Sequence, residues 1–147
     1  MSYLCHRWLE NWREAWSHRP DRHTLLYAEG SRAVEFLDGL EPQREEAVVV
    51  KHYFSAFAHG PLGLMLRCRQ IKSVLLTGSG VMGAVESAAK ECFVRGYYIV
   101  LVSDAVVPTS GSDHEVVMRN ATERLGALVA SSQEVIEAWT SLTERKG

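Results

Sequence analysis

A chain of 147 residues with 16 basic and 18 acidic side chains, a formal charge of -2, fits one domain able to bury a real core. That balance provides no basic surface for nucleic acid or an anionic membrane, and no apolar run approaches the roughly 20 residues that span a bilayer. No signal peptide is recognised, and Cys5, Cys68 and Cys92 are odd in number and widely spaced, so the expectation is a cytoplasmic protein with reduced thiols, no disulfide framework and no metal site.

Ser2 to Trp16 reads as an amphipathic helix with Leu4, Trp8, Leu9, Trp12 and Trp16 on one face, which suits a core or subunit interface. Ser17 to Tyr27 reads as a polar loop, where His18 and His23 lack the partners of a regular metal motif. Ser31 to Leu40 suits a short helix ended by Gly39, and the charged segment 41–46 turns the chain into a buried strand over Ala47–Lys51. A loop rich in aromatics and histidine, 52–60, precedes a helix from Leu62 to Gln70 with Pro61 as its opening residue.

The apolar run Ser73–Thr77 suits a strand buried on both faces. Gly78, Gly80 and Gly83 then allow a sharp turn into a helix over 84–95, with Val85, Ala88, Ala89, Cys92 and Phe93 facing inward. Further elements follow as a strand over 97–103 with Asp104 just past its end and a helix capped by Asp113 through Leu125. A short strand over 127–130 and a terminal helix capped by Ser131 complete the chain. Strands alternating with helices at these intervals predict a mainly parallel α/β sheet with helices on both faces. Lys51, the glycine turn and Asp104 all follow strands, so they are expected at the carboxyl edge of that sheet, where such folds bind ligands.

The glycine turn supports two readings. Gly78-Ser-Gly-Val-Met-Gly83 matches the G-x-G-x-x-G dinucleotide fingerprint in context, although that motif normally belongs to the first strand–helix unit of its fold. The other reading covers more of the chain. Through Val48-Val-Val-Lys-His-Tyr-Phe-Ser-Ala-Phe57, Leu66 to Gly78, Val85-Glu-Ser-Ala-Ala-Lys90, Arg95 to Ala105, His114 and Leu125-Gly126, the sequence resembles the isochorismatase-like family of cysteine hydrolases. The resemblance runs from Val48 to about Trp139 and implies a three-layer α/β/α fold. It suggests a single domain over 1–147, with a divergent helix and loops over 1–46 and a family-like core over 47–143.

The family's site holds a nucleophilic cysteine at the helix N-terminus, a lysine and an aspartate, and backbone N–H groups of the turn hold the oxyanion. By that resemblance Lys51 is the family lysine, and the nucleophile's position holds Ala84. The segment that carries the family's aspartate has no counterpart before Val48, so the first strand–helix–strand portion is expected to be missing. Cys92 lies roughly 12 Å along the helix from Ala84 and Cys68 sits on the preceding helix; both are expected in the core. Tyr53, Phe57, Gly80, Val81 and Gly83 are the expected substrate-binding residues. The implied protein is a hydrolase fold without cysteine hydrolase chemistry, with no cofactor, that binds a small carbonyl or carboxylate compound or serves a structural role. The alternatives are an enzyme of changed mechanism using Lys51, and a dinucleotide-binding module. The exposed tryptophan face and the missing strand both predict a homo-oligomer.

Overall fold

The computed structural model describes residues 30–108 and 111–144, so the helix expected over Ser2–Trp16 and the histidine loop after it lie outside the described residues. The chain divides into two compact units, Met1–Pro61 and Leu62–Gly147.

In the first unit the expected helix over 31–40 is a single 3-10 turn, Arg32–Val34, and Gly39 takes a positive φ of 82° shortly after it. Residues 43–46 form the expected turn, with the Gln43 N–H donating to the Glu46 carboxylate at 2.8 Å. The strand expected over Ala47–Lys51 does not form. Residues 47–50 are irregular, Lys51 makes an isolated bridge, and Val48 and Val50 are 46% and 39% exposed. Three consecutive valines favour extended chain, but a strand also needs a ladder, and no strand is present among the described residues of this unit.

The second unit holds the sheet. Its elements are α1 (Leu62–Cys68), β1 (Ser73–Ser79), a π-helical turn (Val81–Val85) and α2 (Glu86–Val94), followed by β2 (Tyr98–Val107), α3 (Gly111–Leu125), β3 (Leu128–Ala130) and α4 (Ser132–Glu144). Among the described residues the sheet has three parallel strands in the order β1-β2-β3, so the expected parallel α/β architecture is present. Helices α2 and α3 pack against each other and against β2, while α4 also packs on β2.

Four sequence expectations change here. β1 is an edge strand and not a fully buried one, because its outer side has no ladder partner among the described residues; Val74, Leu75 and Leu76 are half-buried. The buried strand is β2, with Ile99, Leu101, Val102 and Val106 all enclosed. β2 also runs past Ser103 to Val107, which places Asp104 inside it. Its ladder with β1 breaks after Leu76↔Leu101 and resumes at Gly78↔Val106, so Val102–Ala105 bulge opposite Thr77. Helix α3 starts at Gly111, putting Asp113 within its first turn. Phe93 is 52% exposed and Cys68 is exposed, because each lies near a helix end that no described element covers. The remaining inner positions of the glycine-turn helix, Val85, Ala88, Ala89 and Cys92, are buried as the 3-4 spacing requires.

Helix ends are set by local chemistry. At the end of α2 the Tyr97 N–H donates to the Cys92 carbonyl and the Gly96 N–H to Phe93, both at 3.0 Å, with Gly96 at a φ of 75°. α1 closes in the same way through Ile71 to Leu66 and Gln70 to Arg67, but there a glutamine occupies the left-handed position, with a φ of 54°. At the start of α4 the Ser131 hydroxyl accepts the Glu134 N–H at 3.2 Å, and the Glu134 carboxylate accepts the Ser131 N–H at 2.7 Å. Ser131 is therefore the cap its sequence position suggests.

Candidate functional site: a glycine-hinged turn and a lysine loop

The turn between β1 and α2 is built on Gly80. Its φ of 78° and ψ of 56° are left-handed, a conformation that glycine adopts without a Cβ penalty. This aims the Gly80 carbonyl into the following turn, where it accepts the N–H groups of Gly83 at 3.0 Å, Ala84 at 2.8 Å and Val85 at 3.4 Å. Acceptance from positions three, four and five residues ahead widens the first turn into a π-helical one, a feature frequent at functional sites. The Gly80 N–H donates to the Val107 carbonyl at 3.2 Å, so the resumed pairing of β2 beyond its bulge holds the turn from behind.

This geometry decides what the turn can offer. The N–H groups of Gly83, Ala84 and Val85 converge as the sequence suggests, but onto the protein's own Gly80 carbonyl. These three N–H groups are used within the turn, and the helix-start donors that a bound anion would draw on are those of the residues before them, Val81 and Met82. Val81 is fully buried and packs beneath the turn, Gly83 and Ala84 are half-buried, and Ser79 is an exposed strand residue paired with Val107. At Ala84 the side chain is a methyl group, which cannot attack a carbonyl.

The cysteines nearest in sequence do not replace it. Cys92 is buried two turns farther along, and burial pushes its thiol up to about 11, so it stays protonated at neutral pH. Asp104 is also committed elsewhere. Its carboxylate accepts the Ser132 N–H at 2.7 Å and the Ser132 hydroxyl at 2.6 Å, so it caps α4. The Ser132 hydroxyl and then the Ser132 N–H hold this carboxyl below the usual range. Nothing in the sequence spacing, 28 residues apart, signals that pairing. His114 Nε2–H donates to the Ser103 carbonyl at 2.8 Å, tying the start of α3 to the β2 bulge.

The other expected site residues lie in the first unit and form a compact loop of their own. Lys51 is half-buried, and its ammonium donates to the carbonyls of Tyr53 at 2.9 Å and Phe54 at 3.1 Å. Burial pushes its pKa down. The Tyr53 ring packs on His59 with centroids 5.2 Å apart, and His59 takes a left-handed φ of 54°. Phe57 is buried, and its N–H donates to the Ser55 hydroxyl at 3.1 Å. Among the described residues no group of three His, Cys, Asp or Glu side chains could hold a metal ion, and no helix is long and apolar enough to cross a membrane.

A parallel sheet with helices packed on it, whose first strand feeds a helix through a glycine-hinged turn, fits a three-layer α/β/α fold. The chain belongs to the isochorismatase domain family, whose profile matches residues 6–134 and so begins well before Val48. It is 32% identical over 87 residues to the ureidoacrylate amidohydrolase RutB of Methylorubrum extorquens, covering 59% of this chain and 35% of that protein. The crystal structure of N-carbamoylsarcosine amidase from Thermoplasma acidophilum is similar with a TM-score of 0.66 and 28% identity, over 71% of this chain and 59% of that one. A cysteine hydrolase from Pseudomonas syringae pv. phaseolicola shares the fold, with a TM-score of 0.81 over 95% of this chain and 70% of that one, at 19% identity. The chain spans about a third to a half of the length of the curated relatives it matches.

Proposed function

We propose that this isochorismatase-family hydrolase fold has given up cysteine hydrolase chemistry and keeps a site for a small carbonyl or carboxylate compound. The observation that supports this most directly is Ala84. At the first turn after the β1 glycines, where the family resemblance puts a thiolate, the chain has a methyl group, and the Ala84 N–H donates to Gly80. Removing the nucleophile from a catalytic triad lowers kcat by a factor on the order of 10⁶ in a well-studied serine hydrolase, leaving binding and oxyanion stabilisation. Two relatives named as an amidohydrolase and an amidase suggest the ligand class, a small amide, ureido or carboxylate compound.

A second reading keeps catalysis and assigns it to Lys51. Burial lowers the lysine's pKa and so favours the neutral amine that a nucleophile needs, while its two carbonyl acceptors favour the charged form. The loss of chemistry is preferred because both acceptors hold the ammonium in place.

The test pairs two measurements on the unmodified chain and Ala84→Cys. Amide hydrolysis, with ureidoacrylate and N-carbamoylsarcosine as substrates, is expected to be undetectable for the unmodified chain. Iodoacetamide reactivity against pH is expected to reveal in Ala84→Cys a thiol more acidic than the ordinary value of about 8.5, because it stands at a helix N-terminus. Cys92 should stay silent, because burial pushes its thiol up to about 11. Turnover by the unmodified chain would overturn the reading in favour of the lysine. A restored cysteine no more acidic than the ordinary value of about 8.5 would mean the turn no longer activates a thiol.

A further inference from the structure

We propose that the β2 bulge is a register lock, in which His114 and Asp104 act as positioning residues that keep the Val107 carbonyl on the Gly80 turn. This goes beyond the reading above, because it concerns what holds the turn and applies whether or not the turn binds or reacts.

The ladder between β1 and β2 pairs Leu76 with Leu101 and then Gly78 with Val106. Over that interval β1 advances two residues and β2 five, so three residues of β2 are extra, where an ordinary bulge adds one. Straight pairing onward from Leu76↔Leu101 would instead set Gly78 opposite Ser103 and Ser79 opposite Asp104, and would keep more backbone groups within the ladder. An offset of three, being odd, exchanges faces. In the straight register Val106, now only 4% exposed, would turn to the opposite face of the sheet. The Gly80 N–H would also lose the Val107 carbonyl, which it reaches at 3.2 Å. Two pairings thus compete, and only the bulged one holds the glycine turn.

Side chains from three elements hold the extra residues out of the ladder. His114, near the start of α3, donates from Nε2–H to the Ser103 carbonyl at 2.8 Å. The Ser103 hydroxyl donates to the carbonyl of Ala130, the last residue of β3, at 3.3 Å. The Asp104 carboxylate accepts the Ser132 N–H at 2.7 Å and the Ser132 hydroxyl at 2.6 Å, at the start of α4. Drawing Ser103 and Asp104 into line with Gly78 and Ser79 would carry both residues off these partners, and hydrogen bonds of this length do not survive such a shift. One carboxylate therefore closes a helix and holds a bulge. The same two residues link the segments that follow all three strands, namely the Gly80 turn after β1, α3 after β2 and α4 after β3. That is the edge at which parallel α/β sheets bind ligands. If burial of Val106 alone set the register, His114 and Asp104 would be ordinary contacts, and removing either would leave the turn as it is.

The experiment is amide hydrogen exchange followed by NMR on the full chain, comparing Gly80 with Tyr98. Both N–H groups belong to the same strand pair: Gly80 donates to Val107 beyond the bulge, and Tyr98 donates to the Lys72 carbonyl at the other end, at 2.9 Å. In His114→Phe and in Asp104→Ala, exchange at Gly80 should rise about tenfold relative to Tyr98, as expected when one such bond no longer opposes local opening. His114→Gln, whose side-chain amide can donate from the Nε2 position, should return Gly80 to within about twofold of the unmodified chain. A purely structural role would lower global stability and accelerate both amides equally. That result, or a Gly80 amide that does not respond, overturns the proposal, and a glutamine that restores nothing removes His114 from the lock. Should either variant fail to fold, Ser132→Ala, which removes only the hydroxyl bond to Asp104, decides by the same ratio: a rise at Gly80 over Tyr98 supports the lock and an equal rise overturns it.

Discussion

Replacing Gly80 by alanine isolates the conformational term on which the turn depends. A Cβ built at Gly80 meets nothing closer than the Ala84 nitrogen at 3.9 Å, an ordinary contact, so no steric term enters. What remains is the left-handed backbone, with φ at 78°, which costs an L-residue roughly 1–2 kcal/mol. Alanine also narrows the unfolded ensemble by about 0.4–1 kcal/mol, which partly offsets that cost. The net expectation is a loss of about 1 kcal/mol, read as a shift of the denaturant midpoint at constant slope. Gly80→Asn should lose less, since asparagine tolerates the left-handed region. Gly78→Ala should lose more, because its φ of 118° lies outside that region even though its Cβ would have open space. A loss above about 3 kcal/mol at Gly80 would mean the turn collapses and does not simply strain. Asparagine proving worse than alanine would refute the left-handed assignment itself.

Gln70 is the converse case, a left-handed residue at a helix end where glycine is normal; Gln70→Gly should raise stability by up to about 1 kcal/mol in the same denaturation assay. The caps of α4 predict an acid dependence. Asp104, held down by the Ser132 hydroxyl and then its N–H, and Glu134, held down by the Ser131 N–H and then its hydroxyl, both have folded pKa values below their unfolded ones. Their stabilisation is therefore complete above the ordinary carboxylate pKa of about 4 and is lost as pH falls through the lower folded values. Thermal melts of Asp104→Asn should show a shallower decline over that acid range than the unmodified chain, and parallel declines would remove Asp104 from the cap.

The features legible in the sequence were those set by neighbours along the chain. The inner face of α2, Ser131 followed three residues later by Glu134, and Gly96 at a helix end each need only a few consecutive residues to be recognised. Ladder membership was not legible in the same way. Val48-Val-Val50 and Val74-Leu-Leu76 are equally strand-like, yet the first makes no ladder and the second lies at an edge. Strand propensity reports that a segment suits a pleated surface; whether a partner strand is present depends on the rest of the fold. The β2 bulge escapes for the same reason, since Asp104 leaves the ladder only because the pairing with Gly78 resumes at Val106.

The site divides along that same line. Residue identity was readable, so an alanine at the nucleophile's position and a lysine at the family position follow from the sequence alone. The destination of each hydrogen bond was not. Three glycines at this spacing announce a tight turn into a helix, but which N–H groups close on the Gly80 carbonyl is set by that residue's φ and ψ. Here the N–H groups of Gly83, Ala84 and Val85 close on the Gly80 carbonyl, and the Lys51 ammonium donates to the Tyr53 and Phe54 carbonyls. A turn that satisfies itself places no demand on residue 84 beyond a small side chain, so alanine is accommodated there.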